Sequence, residues 1–282
     1  MTAKNRQLST EYLRVTPVGD DEWTFEYPRL TFEVLDQFHE AIDLWHAGQI
    51  KQAERSYRQL IRRYPEFIDA YHHLALLLKN SSRELEAFRT WQETVTLGLN
   101  RLPDTFYFGR DRLPWLIIEN RPFLRAYHGL GLEYLETDEV EKALVIFTNL
   151  LDLNPNDNQG IRALAIDCYF RLRRPGDVLR ICDRFPDDGL EQVMYGRALA
   201  LYQLGQRSAA EQALRQGIAH LPLVAKELTK SRHRQPKEMR PGYVTYGGAD
   251  QAYLYWLEHG HHWRKTAGAL EFVKATLQKY EG

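Results

Sequence analysis

"YHGLGLEYLETDEVEKALVIFTNLLDLNP", Tyr127 to Pro155, is the stretch that decides the fold of this 282-residue chain. Its apolar residues return at spacings of three and four, the rhythm of amphipathic helices. Tyr127, Leu130, Gly131 and Tyr134 mark a first helix, Ala143 and Phe147 a second, and Pro155 closes the unit. Gly131 and Ala143 are small where the two helices must meet, which predicts an antiparallel pair in close contact. Enlarging one of them, as in Gly131→Leu, should cost about 1–3 kcal/mol from overpacking.

The pattern recurs on both sides of this stretch. Upstream, Ala41, Leu44 and Gly48 lead to Ala53, Tyr57 and Pro65; then Tyr71, Leu74, Ala75 and Leu78 lead to Ala87 and Trp91, with Leu99 where proline is expected. Downstream, Ile161, Leu164, Ala165, Cys168 and Ile181 keep the phase, although Asp177 stands at a small-residue position. Met194, Ala198, Leu201, Gly205, Ala210, Leu214 and Pro222 restore the pattern. The run from Tyr127 to Pro155 resembles the tetratricopeptide signature W-x2-L-G-x2-Y, A-x3-F, P, which has a period of about 34 residues, with Tyr127 in place of Trp. Small residues bring the helices of a pair together, and Tyr57, Trp91 and Phe147 fill the space between neighbouring pairs. No pair buries its apolar face alone, so stability accumulates by stacking. The expected fold is all-α, a right-handed superhelical solenoid of tetratricopeptide-type helix pairs.

Punctuation by Pro and Gly divides the chain. Residues 1–30 are expected to be an extended N-terminal segment, 31–99 two repeats, 100–120 an insertion, and 121–222 three repeats. A basic linker, 223–248, follows, and then a C-terminal helix pair, 249–282, joined at "GHH". Within the insertion "PWLII" is too apolar to stay exposed, so this segment is expected to pack against one face.

The corner "LLDLNPNDNQGIRAL", Leu150 to Leu164, superficially suits calcium. Asp152, Asn154 and Asn156 match the first three ligand positions of an EF-hand loop, but Asp157 stands where Gly is needed and Ala163 where the bidentate Glu is needed. A turn explains more of these residues: Asn154-Pro155 stops one helix, and Asp157 or Asn158 accepts from the open amides of the next.

Three blocks, "NRPFLRAYHGLGLEYLETDEVEKAL", "LNPNDNQGIRAL" and "YGGADQAYLY", resemble the suppression-of-tumorigenicity 7 family and similar bacterial repeat proteins over residues 119–280. The resemblance implies helical repeats and no settled activity. The animal members carry membrane segments near the N-terminus that this chain does not show.

The charge balance, 37 Lys and Arg against 38 Asp and Glu for a net charge of -1, argues against nucleic-acid binding over the whole surface. Two cysteines, Cys168 and Cys182, are too few for a disulfide framework or an all-cysteine zinc module, and both fall at apolar helix positions. The N-terminus has no apolar core of signal-peptide length, and no stretch reaches membrane-spanning length. A cytoplasmic protein is expected. No nucleophile elbow, P-loop or dinucleotide turn is present, so no enzymatic role and no cofactor is expected. His259, His261 and His262 of "HGHH" are read as polar, partly exposed residues of a turn, with no metal assigned.

Phase also names the residues of the first helices that face away from their partners: His72, Leu76 and Asn80; Arg125, His128 and Leu132; Arg162, Ile166 and Tyr169; Tyr195, Leu199 and Tyr202. Aromatic and aliphatic anchors with two arginines suit an extended peptide carrying an acidic group. The site is therefore a peptide groove lined by His72, Asn80, Arg125, His128, Arg162, Tyr169, Tyr195 and Tyr202, and the expected function is that of a scaffold or adaptor for a protein or peptide. Phe38, Ile42 and His128 depart from the polar pattern by which chaperone-binding repeats grip a C-terminal carboxylate. The alternative is RNA binding by linker 223–248, through Lys226, Lys230, Arg232, Arg234, Lys237 and Arg240 with Tyr243 and Tyr246 as stacking surfaces.

Overall fold

The computed structural model of the chain describes residues 12–281, which fall into two compact units, Met1–Ile161 and Arg162–Gly282. The first opens with an antiparallel hairpin, β1 (Arg14–Pro17) and β2 (Trp23–Glu26), in which Val15 pairs with Phe25. Residues 1–11 of the expected extended segment lie outside the described residues. Three helix pairs follow: α1 (Phe32–His46) with α2 (Ile50–Arg63), α3 (Ile68–Asn80) with α4 (Glu84–Leu99), and α5 (Arg121–Glu136) with α6 (Val140–Leu153). The second unit holds α7 (Ile161–Arg171), α8 (Pro175–Arg184), α9 (Glu191–Gln203), α10 (Arg207–His220), α11 (Pro222–Leu228), α12 (Ala249–Lys265) and α13 (Ala269–Glu281). Helical repeats of the all-α class thus make up the body of the protein.

Close packing inside each pair follows from the small residues. Ala41, Ala53, Ala75, Ala87, Ala143, Ala165, Ala198 and Ala210 are all fully buried. At Gly131 a Cβ atom would lie 2.5 Å from Cε1 of Phe147 and 3.1 Å from Cγ2 of Ile146, so nothing larger than hydrogen fits. Tyr57, Trp91 and Phe147 are buried as the large partners.

Each pair turns on one left-handed residue. Gly48, Ser82, Asp138, Arg173 and Gly205 all have φ between 55° and 75°, and the next amide reaches back into the preceding helix. Gln49 donates to the Leu44 carbonyl, Arg83 to Leu78, Glu139 to Tyr134, Arg174 to Tyr169 and Gln206 to Leu201. This is the hydrogen-bond scheme by which helices end on a left-handed residue. Glycine takes that conformation without strain at 48 and 205, whereas Ser82 and Arg173 hold it against a steric cost.

The insertion docks, but not by burying the aliphatic side chains of "PWLII". Leu116 and Ile118 are 75% and 66% exposed, whereas Phe106, Leu113 and Asn120 are buried. Leu113 N–H donates to the Leu153 carbonyl, Trp23 N–H to Arg112, and Arg112 N–H to Asp21. Asn120, fully buried, stitches the segment to the hairpin: its Oδ1 accepts from Phe25 N–H at 3.0 Å, and its Nδ2 donates to the carbonyls of Trp23 and Pro114 at 2.9 and 3.2 Å. Main-chain pairing, one asparagine and the buried side chains of Phe106 and Leu113 hold this segment.

The corner after α6 is a turn. Asp157 Oδ1 accepts from Ile161 N–H, opening the next helix, and Asn154 Oδ1 accepts from Trp115 N–H at 3.4 Å. In the second unit Asp177 sits buried in the first turn of α8, paired with Arg174 and Arg180, where the helix dipole favours an acid. The segment expected as a linker from 223 is helical through Leu228 as α11. "GHH" is not a joint: α12 runs through it to Lys265, and the turn into α13 follows at Thr266 to Gly268.

Candidate functional site

In the first unit, α1, α3 and α5 lie side by side, and the residues between α3 and α5 form a polar cluster. Arg125 Nη2 donates to both oxygens of Asp69, at 3.0 and 3.1 Å. His73 Nδ1 lies 3.3 Å from Asp69 Oδ1. Burial works to raise the Asp69 pKa, but the His73 hydrogen bond and the charges of His73, Arg125 and His72 outweigh it and hold the carboxylate below its ordinary range. Trp91 Nε1–H donates to His72 Nδ1 at 3.2 Å. Burial, aided by the neighbouring His73 charge, lowers the His72 pKa to about 3, and burial lowers that of His128 to about 4. At neutral pH His72 and His128 are therefore neutral imidazoles beside the Asp69–Arg125 ion pair.

Three of the four residues expected here lie in this cluster: His72 buried, and Arg125 and His128 half-buried. Asn80 is exposed at the far end of α3. Arg125 is not a bare anion hook, since it arrives paired with Asp69, yet its side chain stays 38% exposed and its Nε makes no hydrogen bond. Sequence phase missed Asp69 and His73, because the ion pair joins residues 56 apart. It also missed Tyr27, just past β2, whose buried hydroxyl has no hydrogen-bond partner and is pushed well above its ordinary pKa by burial and the Asp69 charge.

In the second unit the expected groove residues are spent on the chain itself. Tyr195 is fully buried and donates its hydroxyl to the Leu221 carbonyl at 2.8 Å. Tyr202 donates to the Ala267 carbonyl at 3.1 Å and stacks on Phe272 of α13. Tyr169 is buried beneath the Arg174 guanidinium, and Arg162 pairs with Asp188 over the Phe185 ring. For Tyr195 and Tyr202 the physical reason is that α12 and α13 fold back over them, with Tyr255 beside Tyr195 and Phe272 beside Tyr202. What phase identifies as an outward face is here an internal one.

The same folding back corrects the histidine reading. His259 and His262 are buried, not exposed on a turn, and both meet Asp167 of α7. His262 Nε2 lies 2.7 Å from Asp167 Oδ1, and His259 Nδ1 lies 3.7 Å from the same oxygen. Arg171 Nε holds the second oxygen, Oδ2, at 2.8 Å. Burial acts to raise the Asp167 pKa, but the His262 hydrogen bond and the charges of His262, Arg171 and His259 bring it below the usual carboxylate range. Burial lowers the pKa of His259 to about 4. Among the described residues, Asp167, His259 and His262 are a group of side chains whose donor atoms all lie within 4.8 Å of one another, as a metal ion requires.

Cys168 and Cys182 are fully buried free thiols, each pushed up to about 12 by burial, which suits packing and not nucleophilic chemistry.

Residues 124–157 match a tetratricopeptide repeat family model, and residues 35–66 match a second tetratricopeptide repeat model. The chain therefore carries tetratricopeptide repeats. Among solved structures, a tetratricopeptide repeat protein from Parabacteroides merdae is 14% identical, with 89% of this chain and 88% of that one covered and a TM-score of 0.50. YrrB, a repeat protein described as having an unusual peptide-binding site, is 16% identical over 66% of this chain and 85% of its own, with a TM-score of 0.48. The Naa15/Naa10 complex bound to HypK-THB contributes a chain 16% identical, with 88% of this chain and 34% of that one covered and a TM-score of 0.49. At these identities the likeness is one of fold. No curated protein matches, and none of these comparisons supports the narrower resemblance to the suppression-of-tumorigenicity 7 family. Among the described residues, no helix is long and apolar enough to cross a membrane.

Proposed function

We propose that the chain is a protein-interaction module whose first unit binds an extended peptide or protein segment along α3 and α5, through His72, Asn80, Arg125 and His128. The observation that carries this reading is Arg125: a guanidinium held in place by Asp69, whose side chain nevertheless stays 38% exposed. Hydrogen bonds to a charged group contribute about 1.5–3 kcal/mol, so such an anchored, part-exposed guanidinium suits recognition of a ligand carbonyl or carboxylate. Leu76 of α3 and Leu132 of α5 are half-buried on the same two helices. A phage-displayed library of random peptides tests the idea, with enriched sequences titrated by fluorescence anisotropy. Arg125→Glu should weaken their binding at least about tenfold, a change of about 1.4 kcal/mol, while helical content by circular dichroism stays constant. Equal binding by the variant, or no enrichment at all, would sink the reading.

A second reading concerns the loop after α11. Tyr243 and Tyr246 are 76% and 65% exposed, and Lys237 and Arg240 line a concavity of about 910 Å³ beside Tyr243. Lys226 and Lys230 are already paired with Glu281 and Glu227, which leaves fewer free charges for a polyanion than the sequence suggests. Single-stranded RNA bound here would show a salt-sensitive mobility shift lost in Tyr243→Ala; no shift at low salt disposes of it.

A further inference from the structure

We propose that Asp167, His259 and His262, together with the amide oxygen of Gln192, form a binding site for a divalent transition-metal ion, Zn2+ by the chemistry of its donors. His259 and His262 stand three residues apart on α12 and so share one face of the helix. Asp167 meets them from α7, and Gln192 comes from α9. A tetrahedral ion with bonds of about 2.0–2.2 Å sets its donors about 3.3–3.6 Å apart. The Asp167 Oδ1 to His262 Nε2 and His259 Nδ1 separations, 2.7 and 3.7 Å, straddle that range, and all three donors lie within 4.8 Å of one another, so shifts of about 1 Å convert the cluster into a coordination sphere.

Gln192 is a second, independent sign. It is 8% exposed, and its Oε1 is buried without any hydrogen-bond partner. Such an orphaned acceptor costs about 1–3 kcal/mol, and each one in a folded protein calls for an explanation. Gln192 lines a void of about 10 Å³ together with His259 and His262. An ion bound to the three other donors would meet its fourth oxygen here, directly or through one water, for which the void has room.

The surroundings also fit. Ligating carboxylates and imidazoles are normally held by outer hydrogen bonds and charges. Arg171 occupies Oδ2 of Asp167 and leaves Oδ1 to the ion, and Glu258 Oε2 stands 3.8 Å from Nε2 of His259, the nitrogen turned away from Asp167. Two imidazoles disfavour Ca2+ and Mg2+. Redox chemistry at a two-histidine, one-carboxylate iron site needs open positions for substrate, which a void of this size lined by Ile166, Phe170 and Leu199 does not offer. The ion's role is structural, pinning α12 onto α7 and α9.

The full chain, freed of metal by dialysis against a chelator, should bind one equivalent of Zn2+ in a calorimetric titration, with submicromolar affinity. Co2+ in its place should develop the visible absorption bands of a low-coordinate ion, and either metal should raise the thermal midpoint. His259→Gln is the decisive variant, because at 3.7 Å the residue makes no hydrogen bond to Asp167 and its replacement should leave the fold intact; it should weaken Zn2+ at least about tenfold. His220→Gln, exposed on α10, should change nothing. Absence of saturable binding by the unaltered chain, or equal affinity in His259→Gln, would overturn the proposal.

Discussion

The close approach of α5 and α6 at Gly131 sets up a substitution whose sign is decided by two opposed effects. Replacing Gly131 by Ala improves helix propensity by about 1 kcal/mol in the middle of α5. The new methyl group would sit 2.5 Å from Cε1 and 3.1 Å from Cδ1 of Phe147, and 3.1 Å from Cγ2 of Ile146. Comfortable carbon contacts lie at about 3.5–4.0 Å, so the Phe147 ring must retreat by about 1 Å. That ring is fully buried, and in a close-packed core its retreat should cost about 1–3 kcal/mol. The net effect is destabilisation by up to about 2 kcal/mol, and Gly131→Leu should exceed it. Gly176, in the first turn of α8, is the control: a Cβ there meets nothing within 4 Å, so Gly176→Ala should be neutral or stabilising by up to about 1 kcal/mol. Urea unfolding followed by circular dichroism measures both. A Gly131→Ala protein as stable as the Gly176→Ala one would refute the claim that steric closeness, and not mere helicity, dictates glycine at this position.

Other consequences are as open to measurement. Asn120→Ala leaves Phe25 N–H and the Trp23 carbonyl without their partner; a loss of about 2–4 kcal/mol and faster hydrogen exchange across β1 and β2 are expected, and unchanged exchange would show that Asn120 does not tie the insertion to the hairpin. Arg173→Gly relieves a left-handed residue at φ 55° and should stabilise by about 1 kcal/mol, read from the same denaturation curves. His72 is depressed to about 3 from 6.5, so on acidification the unfolded chain takes up its proton first. Its contribution is complete above pH 6.5 and is lost as pH falls toward 3, at about 1.4 kcal/mol per pH unit. His72→Gln should therefore show about 2 kcal/mol less loss between pH 7 and 5 than the unaltered chain, and parallel losses would contradict a neutral, buried His72. Cys168 and Cys182 should resist alkylation in the folded protein and react only after denaturation; rapid native labelling would contradict their burial.

The repeat phase was legible because it is local. A pair of helices advertises its contact by small residues at fixed offsets, and the residues read as small, from Ala41 to Ala210, are those the packing buries. The turn at Asp157 was legible for the same reason, since the carboxylate meets an amide four residues on. Other features were not. The left-handed residues Ser82, Asp138 and Arg173 escape notice because nothing in their side chains announces φ, although their spacing alongside Gly48 and Gly205 was a usable signal.

By itself, then, the sequence determined the helices, their pairing and the small-residue seams, because periodicity records which face of a helix is apolar. It could not say what would cover that face. Tertiary structure alone decided that α12 and α13 fill the face of the last repeats, that Tyr195 and Tyr202 are internal, and that His262 meets Asp167 across 95 residues. It likewise placed Asn120 against Phe25, another 95 residues apart. Contacts of that range depend on how rigid elements settle against one another, a geometry set by the sum of many packing choices and written in no single stretch of the chain.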